Sequence, residues 1–184
     1  MKKALVFITF IMICLSFKAQ ELPTIPATGF SFPIGTKFTI KLTPIDSTNF
    51  NYSIIEFEKF DKIVDTYEHD DLFDKTGNDS TITFYFCFGT QGENEAEKKE
   101  NMKVLLLMKN YTKYMLKYTS EIQRQENGEY ESTSNVGTFP GAMGNEMWPY
   151  MIYSIGLREF KIMTYETTEP NKKKHVSRKK QNLL

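Results

Sequence analysis

The feature that most constrains this chain is a series of short segments in which every second side chain is apolar. In residues 81–88, Ile82, Phe84, Phe86 and Phe88 fall on one side of an extended chain, and the intervening residues are also mostly apolar. Residues 37–43 alternate more strictly between apolar and polar side chains. Successive side chains of a β-strand point to opposite faces, so this period of two predicts strands rather than helices.

Weaker patterns predict further strands and the turns between them. Apolar or alternating runs occupy residues 52–60, 102–108, 114–118, 148–155 and 157–165. Asn127-Gly128 is typical of a two-residue type I′ hairpin, which makes residues 129–135 an exposed, charged edge strand. Residues 61–67 fit either a helix or a strand, residues 93–100 suit a helical turn, and residues 137–144 are expected to form a glycine-rich loop.

These segments predict an all-β chain, or a β-rich α+β chain, that folds as an antiparallel β-sandwich or barrel. We expect about seven short strands and at most one or two short helices. The 184 residues show no internal repeat, and residues 20–171 suit a single β-rich domain.

The two ends differ from this domain. Residues 1–19 resemble a bacterial signal peptide, because Lys2 and Lys3 precede a 14-residue uncharged run and a small residue, Ala19, follows. We expect cleavage near Ala19 and a periplasmic or extracellular location. The alternative is an uncleaved membrane anchor, although the run is short for a bilayer. Residues 172–184 read as a basic, disordered tail.

Charge is unevenly distributed although the whole chain is formally neutral. Residues 20–171 carry 14 basic and 23 acidic side chains, a net charge of −9. Such an acidic body excludes nucleic acid as the main partner, because phosphate binding needs a basic surface, and it favours a basic protein partner. The tail alone could contact an anionic membrane or polysaccharide.

The residue inventory offers little for catalysis, and we predict no catalytic residue, no cofactor and no metal. The chain has two histidines and two cysteines, and only Cys87 would remain after cleavage. Cys87 lies within the clearest strand, where a small buried hydrophobe is expected. His69 is expected in a solvated loop. The acidic residues between Asp61 and Asp79 lack the ordered spacing of an EF-hand, which leaves calcium binding open.

One stretch is unusual in composition. Residues 139–150 place the single tryptophan among methionines, aromatic residues and glycines. These residue types are enriched at protein interfaces. The binding candidates are therefore Phe139, Met143, Met147, Trp148 and Tyr150. The alternative is that Phe139 and Trp148 fill an open end of the sheet.

We therefore expect an exported, non-catalytic binding protein that acts through a protein partner, as an inhibitor or an immunity-type protein does. Two alternatives stay open. The 26 aromatic residues could line the cavity of a β-barrel that carries a small apolar ligand. The second alternative is a hydrolase that uses carboxylates which the sequence does not identify.

Overall fold

The computed structural model describes residues 22–163. The expected signal peptide (1–19) and basic tail (172–184) lie outside the described residues. The chain is strand-rich and all-β, as predicted. The strands are β1 (Gly29–Pro33), β2 (Thr36–Pro44), β3 (Asn49–Lys59), β4 (Val64–Asp65), β5 (Thr81–Thr90), β6 (Lys103–Asn110), β7 (Leu116–Gln123), β8 (Tyr130–Thr133), β9 (Met143–Trp148) and β10 (Ser154–Ile162). One 3-10 turn (Asp70–Leu72) and one short helix, α1 (Glu95–Glu100), complete the described secondary structure.

The strands form one sheet that curls into a half-barrel. Its order is β8-β7-β10-β3-β2-β5-β6-β9, so β8 and β9 are its two edges. Every neighbouring pair in this order is antiparallel. Two short strands lie off this path: β1 pairs with β10, and β4 pairs in parallel with β5.

The inner face of the curled sheet is filled by a large aromatic and aliphatic core. The rings of Phe32 and Phe38 stack with centroids 3.6 Å apart, and Phe38 stacks on Phe84 at 5.0 Å. These side chains come from β1, β2 and β5 and are fully buried. Burial of the inner face is therefore the main stabilising contribution to the fold.

A second, smaller core lies on the outer face of β5 and β6. Tyr85, Cys87, Leu105 and Leu107 are buried there beneath Phe73 and the segment that precedes β5. The hydroxyl of Tyr85 donates a hydrogen bond to the Leu72 carbonyl, 2.6 Å away, and fixes this cover in place. Two-sided burial explains why residues 81–88 and 102–108 are apolar on both faces.

The structure corrects the predicted turn between β7 and β8, and it decides between the two alternatives for residues 61–67. The β7–β8 hairpin has a six-residue loop rather than a two-residue type I′ turn, because Gln123 pairs with Tyr130 and Gly128 N–H bonds to Gln125. Only Asn127 of the expected turn pair has a positive φ, 59°. Residues 61–67 contain the two-residue β4 and no helix.

Two further predictions fail for reasons of long-range packing. His69 is buried rather than solvated, because the segment that contains it folds over the outer core. The expected loop at 137–144 ends at Met143, where β9 begins alongside β6. Among the described residues, no helix is long and apolar enough to cross a lipid bilayer.

Candidate functional site

The strand β9 contains three of the five candidate residues. It is an edge strand whose only partner in the described sheet is β6. Its side chains alternate, so Met143, Asn145 and Met147 lie on the outer face and are exposed, while Gly144, Glu146 and Trp148 lie on the inner face. The period of two therefore divides the candidates between two faces.

Trp148 belongs to the inner core rather than to the surface. It is 6% exposed and packs within the main cluster, and its indole Nε1 donates a hydrogen bond to Thr133 Oγ1 at 3.3 Å. By contrast, Met143 and Met147 are 39% and 36% exposed. The two methionines, with Asn145 between them, form what we call the outer face of β9.

Phe139 and Tyr150 flank β9 without joining this face. Phe139 is 45% exposed and precedes the strand, whereas Tyr150 follows it. The six residues of β9, an extended length of about 17 Å, lie between them along the chain. The guanidinium of Arg124 lies 4.3 Å from the centroid of the Tyr150 ring and covers part of it. The five candidates therefore do not form one cluster.

The free edge of β9 can be identified residue by residue. Asn110 N–H bonds to the Ala142 carbonyl, and Tyr111 N–H bonds to Thr81 on the other side of β6. Bonded and non-bonded pairs alternate along an antiparallel ladder, so even-numbered residues of β6 bond to β9. The register Met108↔Gly144 and Leu106↔Glu146 then directs the main-chain groups of the even-numbered residues of β9 towards β6.

It follows that the main-chain N–H and C=O groups of Met143, Asn145 and Met147 point away from β6. No backbone–backbone hydrogen bond within residues 22–163 joins them to another strand. An edge with unpaired N–H and C=O groups is a template for pairing with another chain.

Beyond this edge, β9 lies close to residues 130–138, and we call the line between them the seam. Two side chains of β9 bridge it. Glu146 Oε1 accepts a hydrogen bond from Val136 N–H at 3.1 Å, and Trp148 donates to Thr133 on β8. Side-chain bonds thus replace a ladder where the two sheet edges approach each other, and the barrel is not closed by backbone pairing.

The carboxyl group of Glu146 is half-buried at this seam. Burial raises its pKa, although the hydrogen bond from Val136 N–H partly opposes the shift. The negative charge of Glu146 also contributes to the raised pKa of the buried Tyr118 hydroxyl, after burial of Tyr118 itself. The seam therefore contains a carboxylate that is incompletely compensated by its surroundings.

This shift predicts a pH-dependent stability. Because folding raises the pKa of Glu146, its contribution to stability is fully present below its unfolded value of about 4.5 and is lost as pH rises through the folded pKa. We expect Glu146→Gln to raise the thermal midpoint relative to wild type at pH 7 but not at pH 4, measured by circular dichroism. Glu121, whose pKa is lowered mainly by its hydrogen bond to Arg158, provides a control of opposite sign. We expect Glu121→Gln to lower the thermal midpoint relative to wild type at pH 7. A Glu146→Gln effect that does not vary with pH would contradict this assignment.

Cys87 and His69, a potential nucleophile and a potential base, are in surroundings that do not favour catalysis. Burial raises the pKa of the Cys87 thiol to about 12, which disfavours the thiolate at neutral pH. His69 Nδ1 is buried, and no described residue hydrogen-bonds to it. Within residues 22–163, no three or more His, Cys, Asp or Glu side chains are grouped so that they could hold a metal ion.

Asn145 and Glu146 were not among the candidates predicted from the sequence. The signal was nevertheless present in the period of two over residues 143–148, which puts Met, Asn and Met on one face and Gly, Glu and Trp on the other. No protein-family model, curated protein or solved structure shows a significant match to this chain.

Proposed function

We propose that this chain is an exported, non-catalytic binding protein that acts through a protein partner and docks it on the outer face of β9. The observation that carries the proposal is the exposure of Met143 and Met147 on an edge strand with a free backbone. Methionine is enriched at protein interfaces, and its flexible thioether adapts to different surfaces.

Charge favours a basic partner. Residues 22–163 carry 14 basic and 20 acidic side chains, a net charge of −6. Two of these acidic residues lie on the edge strands, Glu146 on β9 and Glu131 on β8. Complementary charge would increase the association rate with a basic protein, and the effect should weaken with salt.

The carrier alternative has less support. The interior of the curled sheet, where a carrier would hold its ligand, is filled by the side chains of the main core. An apolar surface groove of about 380 Å³ lies between β1 and β3 and is lined in part by Phe30, Ile54 and Phe57. That groove is open to solvent, and ligand sites usually enclose most of their ligand.

The proposal is tested by affinity capture from a cell-envelope extract at low salt. We expect wild type to retain a protein whose retained amount falls at least about tenfold with the double variant Met143→Glu/Met147→Glu. The reason is that two methionines that would be buried in the complex are each replaced by a charged side chain. The matched control is Ile55→Glu, since Ile55 is similarly exposed but lies on β3, which three other strands separate from β9. Identical retention by all three proteins would contradict the proposed surface.

A further inference from the structure

The free backbone edge of β9 suggests how a partner binds, an inference that rests on the proposed function. We propose that the partner contributes an extended segment that enters the seam and adds as an antiparallel strand to Met143, Asn145 and Met147, with a lysine or arginine opposite Glu146. Strand addition to an exposed sheet edge is a general mode of peptide recognition in which main-chain bonds provide affinity and alternate side chains provide specificity.

The main-chain geometry supports this mode first. Met143, Asn145 and Met147 direct their N–H and C=O groups into the seam, as the register with β6 and the Asn110–Ala142 bond require. An added antiparallel strand would exchange two hydrogen bonds with each of these residues. At the opposite side of the seam, β8 is also an edge strand, paired in the described sheet only with β7.

The side chains define the chemistry of the incoming segment. Residues directly opposite each other in an antiparallel pair lie on the same face. The partner residues opposite Met143 and Met147 therefore contact methionine on the outer face and should be apolar. The partner residue opposite Glu146 lies on the inner face. A cationic side chain at that position would compensate the charge of the half-buried Glu146 carboxylate.

An incoming strand must displace two side-chain contacts across the seam, the Glu146–Val136 and Trp148–Thr133 hydrogen bonds. Glu146 now accepts a single backbone hydrogen bond, from Val136, and that bond joins two segments that share no ladder. An incoming strand would replace this bridge with a backbone ladder and a charged pair. The net charge of −6 on residues 22–163 favours a basic occupant over the same residues of a second copy, which carry the same charge.

Two substitutions of Asn145 separate the contribution of its backbone N–H to binding from that of its side chain. Asn145→Pro removes the N–H that faces the seam while the bonds of Gly144 and Glu146 to β6 remain. Asn145→Ala is the matched control, because it removes the side chain and its 3.4 Å hydrogen bond to the Thr66 carbonyl but keeps the N–H. Both variants are first checked by circular dichroism for an unchanged β-sheet spectrum.

The probe is the synthetic peptide Ac-Thr-Val-Lys-Thr-Thr-Val-Thr-NH2, which places valine opposite Met143 and Met147 and lysine opposite Glu146. We expect titration of the ¹⁵N-labelled protein to shift the amide signals of Met143, Asn145 and Met147 saturably. Affinity should fall at least about tenfold for Asn145→Pro, and for a peptide N-methylated at its first valine, but less than about twofold for Asn145→Ala. Replacing the peptide lysine by glutamate should also weaken binding.

The outcomes separate the two proposals. Equal affinity of wild type and Asn145→Pro for the peptide, or no shift of the β9 amides at millimolar peptide, would overturn strand addition. If the envelope protein still binds Asn145→Pro but not the double methionine variant, the proposed function stands and strand addition is wrong. Sedimentation that shows a wild-type dimer and an Asn145→Pro monomer would assign the edge to a second copy and overturn the basic-partner inference.

Discussion

Phe38→Ala is expected to destabilise the protein by about 3–5 kcal/mol, the range for removing a fully buried phenylalanine from a core. Phe38 is fully buried, and its ring lies between those of Phe32 and Phe84. Truncation would remove both stacking contacts and leave a cavity lined by aromatic rings that the curled sheet cannot easily collapse. The measurement is the free energy of unfolding from urea denaturation followed by circular dichroism.

The chain offers a matched control for this variant. Phe57 is the cross-strand partner of Phe38 on β3, yet it is 42% exposed. We expect Phe57→Ala to cost less than about 1 kcal/mol, because much of the ring already contacts water. A cost for Phe38→Ala no larger than that for Phe57→Ala would show that the ring stack is not the centre of the core.

Tyr52→Phe is expected to cost about 1–3 kcal/mol, although it removes a single oxygen atom. The Tyr52 hydroxyl accepts a hydrogen bond from Phe30 N–H at 2.8 Å and donates one to the Leu157 carbonyl at 2.5 Å. Phe30 and Leu157 are paired residues of β1 and β10, so the hydroxyl stands between two strands and links them to β3. Without it, a buried N–H and a buried C=O lose their partner.

Tyr118→Phe is the control for this second variant. Tyr118 is also buried, but the hydrogen bond that its hydroxyl makes within residues 22–163 goes to the Met108 sulfur, a weak acceptor, at 3.5 Å. We expect its unfolding free energy to stay within about 1 kcal/mol of wild type. Equal costs for the two variants would mean that the Tyr52 bridge does not join the strands in solution.

The parts of the fold that could be predicted from sequence are those whose signal is local. β2 was predicted because its apolar and polar side chains alternate strictly, and β5 because it is rich in β-branched and aromatic side chains. β3 was predicted with imperfect alternation, and the structure gives the reason: the register with β2 shifts beside Ile55, so the residue that follows Ile54 on the same face is Phe57 rather than residue 56.

Other elements depend on contacts that a single sequence does not reveal. β9 contains Gly144 and Asn145, poor strand formers, and becomes a strand because β6 lies beside it. β1 lies among prolines that predict only an extended chain, and it is a strand because β10 pairs with it. Strand order is a global property, so no local pattern could have placed the outer face of β9 on a free edge.

The candidate site was recognised in part for the same reason. Composition drew attention to Met143, Met147 and Trp148 together, but composition does not distinguish the two faces of a strand. The structure buries Trp148 and exposes the methionines. The main-chain edge, which gives the surface its proposed mode of binding, has no sequence signature of its own.

The free edge of β9 is tested most directly by amide hydrogen exchange in the free protein, measured residue by residue by NMR. We expect an alternating pattern, in which the amides of Met143, Asn145 and Met147 exchange rapidly because they face the seam. Those of Gly144, Glu146 and Trp148 should exchange slowly because they bond to β6. Uniform protection of all six amides would show that this edge is already covered, and would contradict the proposed docking of a partner there.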